Sequence, residues 1–276
     1  MIEYDELKIY RGYDIPINSK IVVTQPTIDQ IVDFGEKKYF NAIYTLCSVG
    51  ADMKWQLWDM GQDYTQVEDY DLFIHFISQL VSSKKKLHSE LIGNPQKYEK
   101  ELSMLSKADL DDMLINPLQL ILNIDLADFE PMKEKLHEEN EQIILYNREK
   151  DITIDRFVYA QIIEVVRKIH GFKRNNEIPA NEQTKMDLIE DARDEALAHK
   201  NKPYKSVLKS LVSTLACKSS QCGDERIWNM HINQFFYDIK RICKIQDAEL
   251  LLNGAYSGFG SLKGIDKTRL DMFGEI

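Results

Sequence analysis

Residues 7–58 read LKIYRGYDIPINSKIVVTQPTIDQIVDFGEKKYFNAIYTLCSVGADMKWQLW, a block that holds turn, strand and helix signals in close succession. Residues 7–10 and 15–24 alternate apolar and polar side chains around Arg11-Gly12-Tyr13-Asp14 and Asn18-Ser19, the pattern of short antiparallel strands joined by tight turns. Thr27-Ile28-Asp29-Gln30 then follows Pro26 as a capping box: the Thr27 hydroxyl can accept a backbone N–H, and Gln30 can reach back to the cap. A helix is expected to start there. Its stripe is Ile28, Ile31, Val32, Gly35, Ala42, Ile43 and Leu46, with Gly50 as its stop. Trp55 and Trp58, three apart in the next segment, share a face if it is helical and are expected to pack in the core.

The rest of the chain sets limits on this block. A length of 276 residues and 43% hydrophobic content supply one large core or two ordinary ones. A formal charge of −10 argues against broad phosphate-backbone binding, which depends on clustered Lys and Arg. Lys84-Lys85-Lys86 is the one tight basic run and reads as a solvated helix end. Four cysteines without a disulfide-like framework indicate reduced thiols. The acidic start lacks the features of a secretory signal, and no apolar run reaches the length of a membrane span; a cytoplasm is the expected location.

Thr65-Gln66-Val67-Glu68 reads as a second capping box, opening a helix with Tyr70, Phe73, Ile74, Ile77, Leu80 and Val81 inward and His75 partly buried beside them. Gly93-Asn94-Pro95 breaks the chain, and Asp109, Asp111 and Asp112 read as surface charges. Residues 118–124, 142–146 and 151–154 suggest a second β element, with the charged stretch 132–141 as a separator. Asp155 caps a helix lined by Tyr159, Ile162, Ile163, Val166 and Ile169; Gly171 ends it, and His170 caps or packs in its last turn. Residues 172–181 form a polar linker. A charged surface helix over 182–200 follows, with a thin stripe at Met186, Ile189, Ala192, Ala196 and Leu197. Tyr204, Val207, Leu208, Leu211, Val212 and Leu215 predict a core helix. It pairs as a hairpin with a second helix that Asp224 caps and that Ile227, Trp228, His231, Ile232, Phe235, Ile239, Ile242 and Cys243 line.

These readings give an α+β, mainly α-helical chain: a helical bundle-like body, a small N-terminal antiparallel β-hairpin or meander, and a second short β element in the middle. The expected units are 1–92, a hairpin plus helices; 93–171, a middle α+β segment; and 182–276, a helical subdomain with a glycine- and aromatic-rich tail.

No catalytic residue, cofactor-binding residue or metal ligand stands out. Cys217, Cys222, His231 and Cys243 are the one set with any suggestion of zinc, and core or loop thiols account for them more simply. The segment 254–260 is glycine-rich but lacks the Gly-Lys-Ser/Thr ending of a phosphate loop. It reads as a turn that tucks Tyr256 and Phe259 inward, before a short helix or docking tail over 265–273. An enzyme would need His75, His199 or His231 clustered with carboxylates, and a nucleic-acid factor would need a basic face.

Two stretches, KIYRGYDIPINSKIVVTQPTIDQIVDFGEKKYF (8–40) and FFYDIKRICKIQDAELLLNGAYSGFG (235–260), together resemble uncharacterised proteins from the structural and tail-morphogenesis modules of tailed phages of Gram-positive bacteria. The resemblance implies a non-enzymatic role in virion assembly. A tail-assembly chaperone and a permanent minor virion component are the two forms it could take, and a small phage enzyme or nucleic-acid factor is the rival. The implied partners are phage structural proteins, tail or tape-measure proteins among them, or further copies of the chain, with neither membrane nor nucleic acid; the implied location extends to the virion.

Overall fold

The computed structural model describes residues 5–87, 116–137, 140–218, 224–258 and 260–276. Expectations for Gly93-Asn94-Pro95, for Asp109, Asp111 and Asp112, and for Cys222 and Phe259 lie outside them, as do the side chains of Lys84, Lys85 and Lys86. The chain is α+β and mainly helical, as the sequence predicts.

The opening residues depart from the strand reading. Glu6–Tyr10 is a short helix, α1, because the Asp5 carboxylate accepts the Leu7 and Lys8 amides and so caps it. The hairpin that follows is small: β1 (Ile15–Pro16) pairs antiparallel with β2 (Val22–Val23), and Asn18 Oδ1 accepts the Lys20 and Ile21 amides to close the turn. The capping box is present as predicted. Thr27 Oγ1 accepts the Gln30 amide, and Gln30 Oε1 accepts the Thr27 amide. The helix it opens is two helices, α2 (Ile28–Phe34) and α3 (Glu36–Cys47), since Gly35 takes a φ of 101° and turns the chain. Val32 therefore leaves the stripe and is exposed. Gly50 is no stop: α3 has already ended at Cys47, and Gly50 begins a 3-10 turn, Gly50–Met53, that runs into α4 (Lys54–Asp59). In α4 Leu57 takes the buried position, Trp55 is half-buried and Trp58 is exposed, which corrects the expected core role of Trp58.

Thr65 does not cap the next helix. Its amide and hydroxyl both donate to Asp63 Oδ1, and α5 (Asp69–Leu87) begins four residues later. Helix α5 lies between two apolar cores. Tyr70, Phe73, Ile74, Ile77 and Val81 enter the larger one, and Leu72 enters a smaller one with Val49, Ala51, Leu57, Tyr64 and Ile189.

The middle β element is built differently from its sequence pattern. Residues 118–124 form turns rather than a strand, although Ile121 O accepts the Thr24 amide and Leu122 bridges Val23. The charged stretch read as a separator is itself a strand, β3 (Glu130–His137). It pairs antiparallel with β4 (Asn140–Asn147), which pairs with β5 (Ile152–Ile154). Charged residues are tolerated there because β3 is an edge strand with Glu130–Glu134 exposed except for the ladder bonds.

Helix α6 (Arg156–His170) matches its prediction throughout. Asp155 accepts the Val158 amide, Gly171 ends the helix with φ 65°, and Tyr159, Ile162, Ile163, Val166 and Ile169 are buried. The chain from 172 to 181 has neither helix nor strand and leads into α7 (Glu182–His199), capped by Asn181. Helix α7 presses Ile189 into the smaller core and leaves Leu197 exposed. In α8 (Val207–Lys218) Leu208 and Leu215 are buried and Leu211 and Val212 pack half-buried on the larger core, while Val207 and, ahead of the helix, Tyr204 are exposed, so the N-terminal end of the predicted stripe faces solvent. Glu36 of α3 caps this helix from outside by accepting the Val207 and Leu208 amides. Partial burial pushes the Glu36 carboxyl up, but these bonds and those from Ser206 and Tyr204 hold it below its ordinary value.

The last predicted helix is also interrupted. Asp224–Trp228 is α9, the chain turns at Asn229-Met230, and α10 (Ile232–Tyr256) starts after His231, which holds the N-cap position without a side-chain capping bond. The interruption has a visible cause: the Ile28 amide donates to Met230 O and the Ile232 amide to Pro26 O, so two backbone strands cross at Thr27 and His231. Helix α8 packs on α9.

The His231 ring lies against Gly12, and a Cβ built at Gly12 would sit 2.1 Å from it at a φ of 79°. Gly61 has a similar φ, 74°, but open space around it. In urea denaturation Gly12→Ala is expected to lower stability by about 2 kcal/mol or more, against about 1 kcal/mol for Gly61→Ala; equal losses would show that the ring does not fill the space.

Candidate functional site

Two surfaces hold the features that function could use. The first is a groove of about 870 Å³ above the smaller core, between the 3-10 turn at Gly50, the loop 63–67, the segment 174–179 and the start of α7. Its polar side chains are set by apolar neighbours. Lys185 lies one turn before Ile189 on α7, so burial of Ile189 draws the lysine inward, where its ammonium meets Asp63 Oδ2 at 3.0 Å and Glu182 Oε2 at 2.8 Å. These bonds raise the lysine above its ordinary value. The bond from Lys185, with those from Thr65, lowers Asp63. Lys54, buried beside Leu57, pairs with Glu177. Arg174 grips Asp69 with two bonds of 3.0 Å, and Asn175 donates to Asp52. Tyr64 lines the groove with 3% of its surface exposed, and its hydroxyl has no hydrogen-bond partner among the described residues.

The second surface is an arm made of the distal half of α10 and the tail that returns along it. Arg241 donates to Met272 O and Gly274 O, Lys244 donates to Glu275 O, and Arg269 pairs bidentately with Asp247. Polar straps thus fix the tail, since no residue of 257–276 with described burial is buried. The expected inward tuck of Tyr256 does not occur: α10 continues through it and leaves it 87% exposed. Leu250 and Phe273 are exposed as well. The expected helix over 265–273 shrinks to one 3-10 turn, Lys267–Arg269.

The histidines do not converge. His75 is exposed rather than partly buried and bonds Gln79, His199 ends α7, and His231 Nδ1 bonds Gln25 O at 2.7 Å. Cys217 and Cys243 are exposed, so Cys243 leaves its predicted packing face. Among the described residues no group of three or more His, Cys, Asp and Glu side chains is placed to hold a metal ion. No helix among them is long and apolar enough to cross a membrane.

His170 packs as predicted. It is fully enclosed, with Nε2 2.7 Å from the Tyr39 hydroxyl and Nδ1 2.7 Å from Val166 O. A neutral ring donates from Nδ1 and accepts from Tyr39. Burial disfavours the charged form and lowers the group to about 4. The unfolded chain therefore binds this proton more readily, and stability is fully present above about pH 6.5 and lost as pH falls toward 4. The loss is about 3 kcal/mol from this group. Comparing unfolding free energies of the native chain and His170→Gln from pH 7 to 4 is expected to show this slope only in the native chain.

Residues 200–269, about a quarter of the chain, match the family model described as YomV second domain. Comparisons with curated proteins and with solved structures give no match to this chain. The matched family is phage-associated, which supports a phage protein, and the matched residues run from the approach to α8 through the arm.

Proposed function

We propose that this chain acts without catalysis, through protein–protein contacts made during phage virion assembly, in the manner of a tail-assembly chaperone. The observation that carries the reading is the exposure of Leu250, Tyr256 and Phe273 on the arm, two of them inside the phage-associated segment 200–269. Leu250 and Tyr256 on the strapped helix, with Phe273 on the tail that returns along it, suit the apolar recognition used by assembly factors. A permanent place in the particle would use the same contacts, and the two differ only in whether the chain leaves.

Affinity capture of the tagged chain from cells producing the particle, with purified particles probed for the same chain, tests the proposal. Recovery with a tail or tape-measure protein and absence from particles is the expected result; presence in particles would make the chain a structural component instead. The variant Leu250→Ser/Tyr256→Ser/Phe273→Ser is expected to lose at least about tenfold of that recovery while its unfolding free energy stays within about 0.5 kcal/mol per site. Recovery of no virion protein overturns the assembly role.

A further inference from the structure

We infer that the groove between the 3-10 turn at Gly50, the loop 63–67, the segment 174–179 and the start of α7 is a docking site for a basic peptide segment of a partner protein. Three independent features point there. The groove is of the size of ligand clefts, about 870 Å³ against roughly 300–1,000 Å³. Its lining carries Asp63, Asp69, Glu177 and Glu182 against Arg174 and Lys185, and with Lys54 paired to Glu177 one negative charge remains in excess. Further, the wall formed by 173–180 has an unpaired backbone: among the described residues it makes no backbone–backbone hydrogen bond, and the N–H groups of Asn176 and Ile178 have no partner.

Tyr64 is the observation that makes this a built site rather than an acidic surface. Its side chain is enclosed, its hydroxyl lacks a partner, and the charges that act on that hydroxyl are those of Glu177, Asp63 and Lys185, all lining the same groove. A buried polar group left unpaired is costly, so a ligand or a water that bonds it is favoured. A peptide fits this set of groups. Its backbone pairs with the open edge at Asn176 and Ile178, its Lys or Arg side chains meet Glu177 and Glu182, and one of its polar groups reaches Tyr64. Ile178, 86% exposed on the rim, supplies the apolar contact. The site is separate from the C-terminal arm, so peptide binding and the assembly role stand or fall independently.

The test is fluorescence anisotropy at about 0.15 M salt with a fluorescein-labelled octapeptide, Lys-Val-Lys-Thr-Lys-Val-Lys-Thr. Two controls accompany it: a copy with Glu in place of Lys, and a copy N-methylated at alternate backbone nitrogens. The basic peptide is expected to bind at least tenfold more tightly than either. Ile178→Arg, at an exposed position, is expected to weaken it at least fivefold, and Tyr64→Phe to weaken it severalfold with the unfolding curve retained. Equal binding of basic and N-methylated peptides, binding unchanged by Ile178→Arg, or no binding of the basic peptide would overturn the inference. These results hold for the native chain even if Tyr64→Phe fails to fold.

Discussion

The backbone crossing at Thr27 and His231 is the contact on which the other elements depend. Ile28 N–Met230 O and Ile232 N–Pro26 O join the start of α2 to the start of α10, two points more than 200 residues apart in sequence. Ile28 and Ile232 are both fully buried, so these bonds form away from water, where leaving either amide unpaired would be costly. Gln25 extends the junction. Its side chain donates to Ile9 O and Tyr13 O, and its carbonyl accepts His231 Nδ1–H. A few residues earlier, the chain is tied to the 120–123 turn by Thr24, Val22 and Asn123. One stretch, 20–28, thus holds the N-terminal helix, the 120–123 turn and the start of α10 in register.

This arrangement explains why the two candidate surfaces lie where they do. The larger core is closed by α3, α5, α6 and the first turns of α10, and α10 then runs beyond it for several turns. Its distal half has no core to enter, so the tail straps it with guanidinium and ammonium groups on backbone carbonyls, and the large apolar side chains stay outside. On the other side of α5 the smaller core is shallow. Its rim is completed by polar residues of 174–185, and that is how Lys54 and Lys185 come to be buried with carboxylate partners.

Much of the fold is legible in the sequence where a local signal suffices. The Thr27–Gln30 capping box, the Asp155 cap, the α6 stripe and the Gly171 stop are all found as read, because cap chemistry and helical periodicity act over a few residues. Two of the misreadings share a cause, a distant contact that overrides the local pattern. A continuous helix over 224–243 is interrupted because Met230 O and the Ile232 amide are taken by residues 26–28, and β3 is a strand because β4 supplies its ladder. Leu7–Tyr10 alternates like a strand, yet Asp5 caps it as a helix. The groove was invisible for a related reason. Lys54, Lys185 and Glu177 carry no local sign of burial, and only the packing of Leu57 and Ile189 beside them draws them together; the i, i+3 pair Glu182 and Lys185 is the one local trace. The tuck expected of Tyr256 fails because an apolar residue after a glycine looks the same in sequence whether it tucks in or points out.

Amide hydrogen exchange at Ile28 and Ile232 tests the junction most directly. If the crossing holds the N-terminal stretch and α10 as one cooperative unit, both amides exchange only through global unfolding and show the same opening free energy as the α6 core. Exchange of either amide at a free energy several kcal/mol below that of Val166 would mean that the crossing opens by itself, and the account of how the arm is held would be wrong.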